Sequence, residues 1–386
     1  MYSNKLLFFI TFFIVLLGVS PYPQIYFQFG FYLLVIAVGL SLLVSIPPVM
    51  QLKQVKRTKH LLINLFIVFS FLGAFGGVAV GNDIPRVVKE LLIFLSPIVF
   101  YILLINTFPL ARGADKTFFK VLLFLLIVLC TLQLVYYPIG FLNFSSRYKF
   151  RHDYVLFSSV FLLLFPVALL YVKKGLNKAL LGLLFSVVII LTLSRDFQLY
   201  IFLLFFSFFL YNLNRSLARL YVLSLCLFPF IYIGLAAFLF QSGNVDKSSM
   251  WRFIELISYG GHILNQPSSL LIGEFFGSYL KTIQPIIIFG EEIDEIPRFH
   301  NFWLYLSFKL GIVASLSFYF CAAYFVNSLT KYSKLGYYSG FILAYMLFVN
   351  GSFWGSFTQI PAVSIMLAFI LYISKKVIRD ERFIRN

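Results

Sequence analysis

Few side chains in this sequence can do chemistry, and most of those that can are cationic. Arg195 stands in Leu193-Ser194-Arg195-Asp196 with apolar runs on both sides, and Arg252 follows Trp251 three residues before Glu255. His300 closes a polar stretch as Arg298-Phe299-His300-Asn301, and a second basic group, Arg147, Lys149, Arg151 and His152, is interleaved with Tyr148, Phe150 and Tyr154 next to Asp153. Guanidinium forks bind phosphate oxygens bidentately and stay charged at any working pH. A neutral imidazole, with an unperturbed pKa of about 6.5, takes a proton from a hydroxyl. Such a set suits a reaction in which a hydroxyl attacks and an anion leaves. His300 is the expected base, with Asp196, Asp153 and Glu255 as carboxylate alternatives.

Each of these residues also has a plainer reading. Arg195 can reach lipid headgroups, His300 can cap a helix starting at Asn301 or Phe302, and Arg252 with Glu255 can form a solvated i, i+3 pair on an interfacial helix. The Arg147–Arg151 turn is either an electropositive wall for an anion or a headgroup contact. Arg86 and Lys89 have Asp83 and Glu90 at hand to neutralise them, Arg298 is surrounded by acids, and His262 reads as structural. The run Glu291-Glu292-Ile293-Asp294-Glu295 announces no metal geometry and reads as a solvated loop.

The elements that must position these groups are membrane spans. With 61% hydrophobic and 12% charged residues over 386, the chain has more apolar side chain than one globular core buries, so the bilayer must be its solvent. Cys130, Cys226 and Cys321 all fall in apolar runs and read as small hydrophobes. Apolar runs punctuated by Pro, Gly and charge predict an all-α integral membrane protein of about twelve transmembrane helices, near 6–20, 25–46, 61–80, 91–111, 117–138, 154–172, 179–194, 197–212, 217–240, 302–326, 336–353 and 358–374. Pro21 after Gly18-Val19-Ser20 makes a poor cleavage context, so the first run is read as a span and not a signal peptide. The expected division is helices one to nine over 1–240, a large loop with an amphipathic helix over 241–301, and helices ten to twelve with a basic tail over 302–386. In the loop helix Met250, Phe253, Ile254 and Ile257 share a face while Arg252 and Glu255 point elsewhere.

The basic residues set the orientation. With both termini inside, the inner turns hold twenty Lys and Arg against three acids, and the outer face holds ten against eleven, with Lys309 inside a span. That contrast satisfies the positive-inside rule, so the net charge of +17 is topological and calls for no nucleic-acid partner. The reactive groups then all lie on the outer face.

In order and spacing, Leu193-Ser194-Arg195 at the outer end of a span, Trp251-Arg252 opening a long loop with Gly273 and Gly277, and His300-Asn301 followed by nine residues and then Gly311 resemble the O-antigen polymerase and O-antigen ligase superfamily. The resemblance covers roughly 145–315. It implies a GT-C-like membrane glycosyltransferase in a bacterial cytoplasmic membrane, with its site facing the periplasm. The implied donor is a glycan on undecaprenyl pyrophosphate, the acceptor another lipid-linked repeat unit, the chemistry metal-independent and without cofactor. A chain-length regulator protein and membrane lipids are the implied partners. By motif match Arg195 and Arg252 take pyrophosphate-binding positions and His300 the catalytic one. Ala314 stands where ligases commonly carry Gly, Thr or Tyr, which favours a polymerase over a ligase that transfers polymer to lipid A-core. From another class, a flippase for the same lipid-linked unit suits twelve spans, but the sequence shows no repeated halves, and its ionisable residues gather at span ends.

Overall fold

The structure is a computed structural model, and it describes residues 61–107, 114–145, 163–173, 175–241, 247–288, 291–296, 299–353 and 366–374, together with residues 39, 150, 363, 364 and 377. The first two expected spans, and the site residues Arg147, Arg151, His152, Asp153 and Arg298, lie outside the described residues.

Charge-free apolar sequence builds the first described helix, α1 (Leu61–Ala79), and a tight turn at Gly81, whose φ of 82° suits only glycine without strain, returns the chain as α2 (Ile84–Thr107). α2 starts several residues ahead of the expected 91. Asp83 accepts the amides of Arg86 and Val87 through its carbonyl, pairs with Arg86 at 3.2 Å, and is followed by Pro85, a good first-turn residue. Arg86, Lys89 and Glu90 therefore sit on the first turns of a helix and not in a turn. There follow α3 (Ala114–Leu142), a short α4 (Phe165–Leu169), α5 (Gly175–Leu191) and α6 (Arg195–Leu213).

The single span expected over 217–240 is two helices, α7 (Arg215–Leu225) and α8 (Phe228–Gln241), bent by 50°. Pro229 explains the bend: it has no amide to return to Leu225 and its ring crowds the preceding turn. The chain then leaves the bundle as α9 (Lys247–Asn265), α10 (Pro267–Ile272) and an antiparallel hairpin of β1 (Leu280–Ile288) and β2 (Glu291–Ile296). It re-enters as α11 (Phe302–Thr330) and α12 (Lys334–Ala344), the latter running on through a π-helical turn, Tyr345–Asn350, into Gly351–Phe353.

Among the described residues four helices are long and apolar enough to cross a membrane, five if the bent pair counts as one. With Phe75, Phe202, Phe209, Leu220 and Phe320 exposed on their outer faces, they form a multi-pass, membrane-type helical bundle. α6, with 19 residues, is about 28 Å long at 1.5 Å per residue, close to a hydrocarbon core. Its two ends differ in charge. Lys178, Arg215 and Lys334 are close enough to act on one another at the α6 C-terminal end, where Lys334 and Arg215 both lie over the Tyr211 ring. Arg195 and the loop elements are at the other.

The loop corrects two expectations. The acidic run is not an irregular loop but strand β2, paired in the register Leu280↔Ile296 and Lys281↔Glu295. The loop helix α9 is present, but it does not leave Glu255 in water: Glu255, Ser258 and Tyr259 are buried. The hairpin packs on α9 through Ile254 and Ile296, and Ser258 Oγ accepts the Ile283 amide (3.0 Å) where a bulge interrupts the ladder.

Candidate functional site

His300 and Glu255 form the best-defined pair at the loop end. Asn301, not His300, caps α11: its Oδ1 accepts the amides of Trp303 (2.9 Å) and Leu304 (3.1 Å). That frees the His300 ring from a capping role. Its Nδ1 lies 2.5 Å from Glu255 Oε1, and its backbone amide donates to Glu255 Oε2 at 2.8 Å. The Glu255 side chain is 2% exposed and the His300 ring 38%, so the carboxylate is spent on the histidine while the rest of the imidazole stays open. The Trp251 ring meets the imidazole edge to face at 5.7 Å.

Arg252, one turn before Glu255 on α9, is partly buried at the same end. The hydroxyl of Tyr232, on α8, feels the charges of Arg252, Glu255 and Asp196, which brings residues of α6, α8 and α9 around one phenol. Asp196 is anchored there, because the Tyr345 hydroxyl donates to its backbone carbonyl. Arg195 is the first residue of α6, exposed at a helix N-terminus, after a connection so short that Leu193 takes a φ of 54°. Strain at a non-glycine residue is tolerated where packing over-determines it. Arg195 and the helix end present positive charge together. Of the sequence-derived set, Glu255 and His300 are in direct contact, Arg252 lies one helical turn from Glu255 on α9, and Asp196, next to Arg195, shares with Arg252 and Glu255 an influence on the Tyr232 phenol.

Under this site the segment 273–279 dips beside α11. Gly311 breaks α11 with φ 81° and ψ 165°, and Gly273 takes φ 80°. A Cβ on Gly273 would stand 2.5 Å from the Gly311 amide nitrogen, and one on Gly311 would run into the Leu271 carbonyl oxygen. Both glycines are therefore fixed by one backbone-to-backbone contact. A break deprives the preceding turn of returning amides, and the carbonyls of Phe308 and Lys309 accept instead from Glu274 N (2.7 Å) and Phe275 N (2.8 Å). Asn82 Nδ2 donates to the carbonyls of Glu274 and Phe276 from the far side. His262 Nε2 meets Glu274 Oε1 at 2.9 Å, a structural tie between α9 and the dipping segment.

Beneath it lies the one fully buried charge pair among the described residues. Lys309 Nζ donates to Glu90 Oε1 (3.0 Å) and to the Ser278 carbonyl (2.7 Å), and Glu90 Oε2 accepts the Gly277 amide (3.0 Å). Glu90 lies six residues into α2, about 9 Å below its start. Arg86 pairs with Asp83, as the sequence suggests, and lies over the Tyr279 ring at 4.1 Å, while both Glu90 oxygens are engaged by Lys309 and Gly277.

Sequence reasoning missed two members. Glu90 had a signal that could have found it, because a lone lysine in an apolar span calls for a buried carboxylate partner. Tyr232 gave no signal, being one of 24 tyrosines. Compared with family models, with characterised proteins and with solved structures, the chain matches none.

Proposed function

We propose that this chain is a membrane glycan polymerase that joins polyprenyl-pyrophosphate-linked oligosaccharide units at the loop end of the bundle. The observation that carries the reading is the contact of His300 with Glu255 from segments far apart in sequence, with Arg252 one helical turn from Glu255 on α9. In this reading Arg252 and Arg195 hold the diphosphate of the donor. The acceptor hydroxyl attacks the anomeric carbon and gives its proton to the open nitrogen of His300. The anomeric C–O bond breaks with its electron pair going to polyprenyl diphosphate, whose charge the guanidinium forks stabilise. Such a site, set within a bacterial cytoplasmic membrane and facing the periplasm, needs no nucleotide sugar.

The test is purified protein in detergent with a lipid-linked oligosaccharide. A ladder of multiples, lost in Arg252→Ala and His300→Ala, supports a polymerase. Transfer to lipid A-core only supports the ligase reading, and no coupling under any condition removes both. The break at Gly311 and the buried Lys309–Glu90 pair favour a second reading, transport of the same lipid-linked unit, since transporters use broken helices and internal charge. Flipping of a fluorescent lipid-linked oligosaccharide in proteoliposomes without product ladders would select it.

A further inference from the structure

We infer that Glu255 is a positioning residue that holds His300 as its Nδ1–H tautomer and so leaves Nε2 as the basic nitrogen, the catalytic part of this assignment resting on the transferase reading above. Three observations combine. The imidazole Nδ1 lies 2.5 Å from Glu255 Oε1, and a carboxylate in its ionised form can only accept there, which assigns the proton of that contact to Nδ1. The second oxygen takes the His300 amide at 2.8 Å, so the backbone and the ring are fixed by one side chain. Glu255 is 2% exposed while the His300 side chain is 38% exposed, so the nitrogen turned away from Glu255 is the one a substrate can reach.

These same facts exclude Glu255 itself as the base: both of its oxygens are engaged by His300 and it has almost no surface. They also give the proton a defined course. The acceptor O–H proton passes to Nε2 as the new glycosidic bond forms, the resulting imidazolium is stabilised by the carboxylate on its other nitrogen, and the proton then leaves from Nε2 to water. Asn301 keeps the geometry by capping α11 immediately after the histidine. Arg252, one helical turn before Glu255, stays on the diphosphate side of the division of labour.

Two arms test this. In the first, full-length protein with nitrogen-15 histidine is studied in lipid nanodiscs; it holds 4 histidines, and the His300 signal is the one lost in His300→Gln. The neutral ring is expected to be protonated on Nδ1. Glu255→Gln, close in shape, offers one acceptor to two donors, so the population should move toward Nε2–H. A wild-type ring protonated on Nε2, or a tautomer unmoved by Glu255→Gln, overturns the proposal. In the second arm, Glu255→Gln should lower kcat about tenfold or more with the donor KM within about twofold, and should cost nothing further in a His300→Gln background. An equal loss in both backgrounds would show that Glu255 acts on its own account, which overturns it. If the wild type makes no polymer at all, the transferase reading fails, and the nitrogen spectra still decide the tautomer.

Discussion

At the scale of single residues, the proposed function separates charge that binds from charge that positions. Arg252 is proposed to bind through two parallel N–H donors, so Arg252→Ala should reduce polymer formation by about 10²–10³-fold without lowering protein abundance. Arg252→Lys should recover little of it, because an ammonium lacks the fork. Quantified ladders from purified variants measure both, and full activity in the alanine variant would remove Arg252 from the site. His300→Ala should lower turnover by about 10²–10⁴-fold while leaving affinity for the lipid-linked donor within a few-fold. Equilibrium binding of a labelled donor beside single-turnover kinetics separates the two. The histidine and its neighbours were legible because Trp251-Arg252 and His300-Asn301 flank a polar interruption. Their pairing was not: Glu255 and His300 are brought together by the fold of α9 and the hairpin, and nothing in their separation of 45 residues announces it.

At the scale of elements, the glycines and the buried pair hold the 273–279 segment against α11 and α2. Gly311→Ala places a methyl group against the Leu271 carbonyl in a left-handed conformation, and Gly273→Ala meets the 309–311 backbone. Each should lower the midpoint of thermal unfolding in detergent by several degrees and release the 273–279 segment to limited proteolysis; unchanged protection would mean that the close approach does not hold the segment. Lys309→Met strands the Glu90 carboxylate in an apolar setting and should cost about 3–5 kcal/mol, whereas Lys309→Met with Glu90→Leu should regain much of that loss. A double variant no more stable than the single one would mean that the pair is not what the segment depends on. The apolar runs that became α1, α3, α5 and α6 could be read directly, since each is a long apolar stretch bounded by glycine, proline or charge. Breaks were harder. Pro229 and Gly311 each stand inside a run that stays apolar on both sides, and hydropathy is blind to a bend that leaves composition unchanged. The strand character of Glu291–Ile296 was hidden by its charge, which normally opposes strand formation but here lies on a hairpin whose partner carries Lys281 opposite Glu295.

At the scale of the whole molecule, a helical bundle about one bilayer thick separates a basic end, with Lys178, Arg215 and Lys334, from a loop-bearing end that carries Arg195 and the Glu255–His300 pair. Single cysteines at Ile283 and at Lys178, introduced into a variant lacking the native three, should label from opposite sides of the membrane in intact and permeabilised cells. Labelling of both from one side would contradict the topology. The proposed site depends on more than topology, because in that proposal a diphosphate must find guanidinium groups from α6 and α9 beside an open imidazole. The most direct measurement is an experimental density map of the protein with polyprenyl diphosphate bound. The account predicts diphosphate density between Arg195 and Arg252 with the His300 ring alongside it; density at the Lys178, Arg215 and Lys334 end, or Arg195 and Arg252 facing lipid with nothing between them, would contradict it.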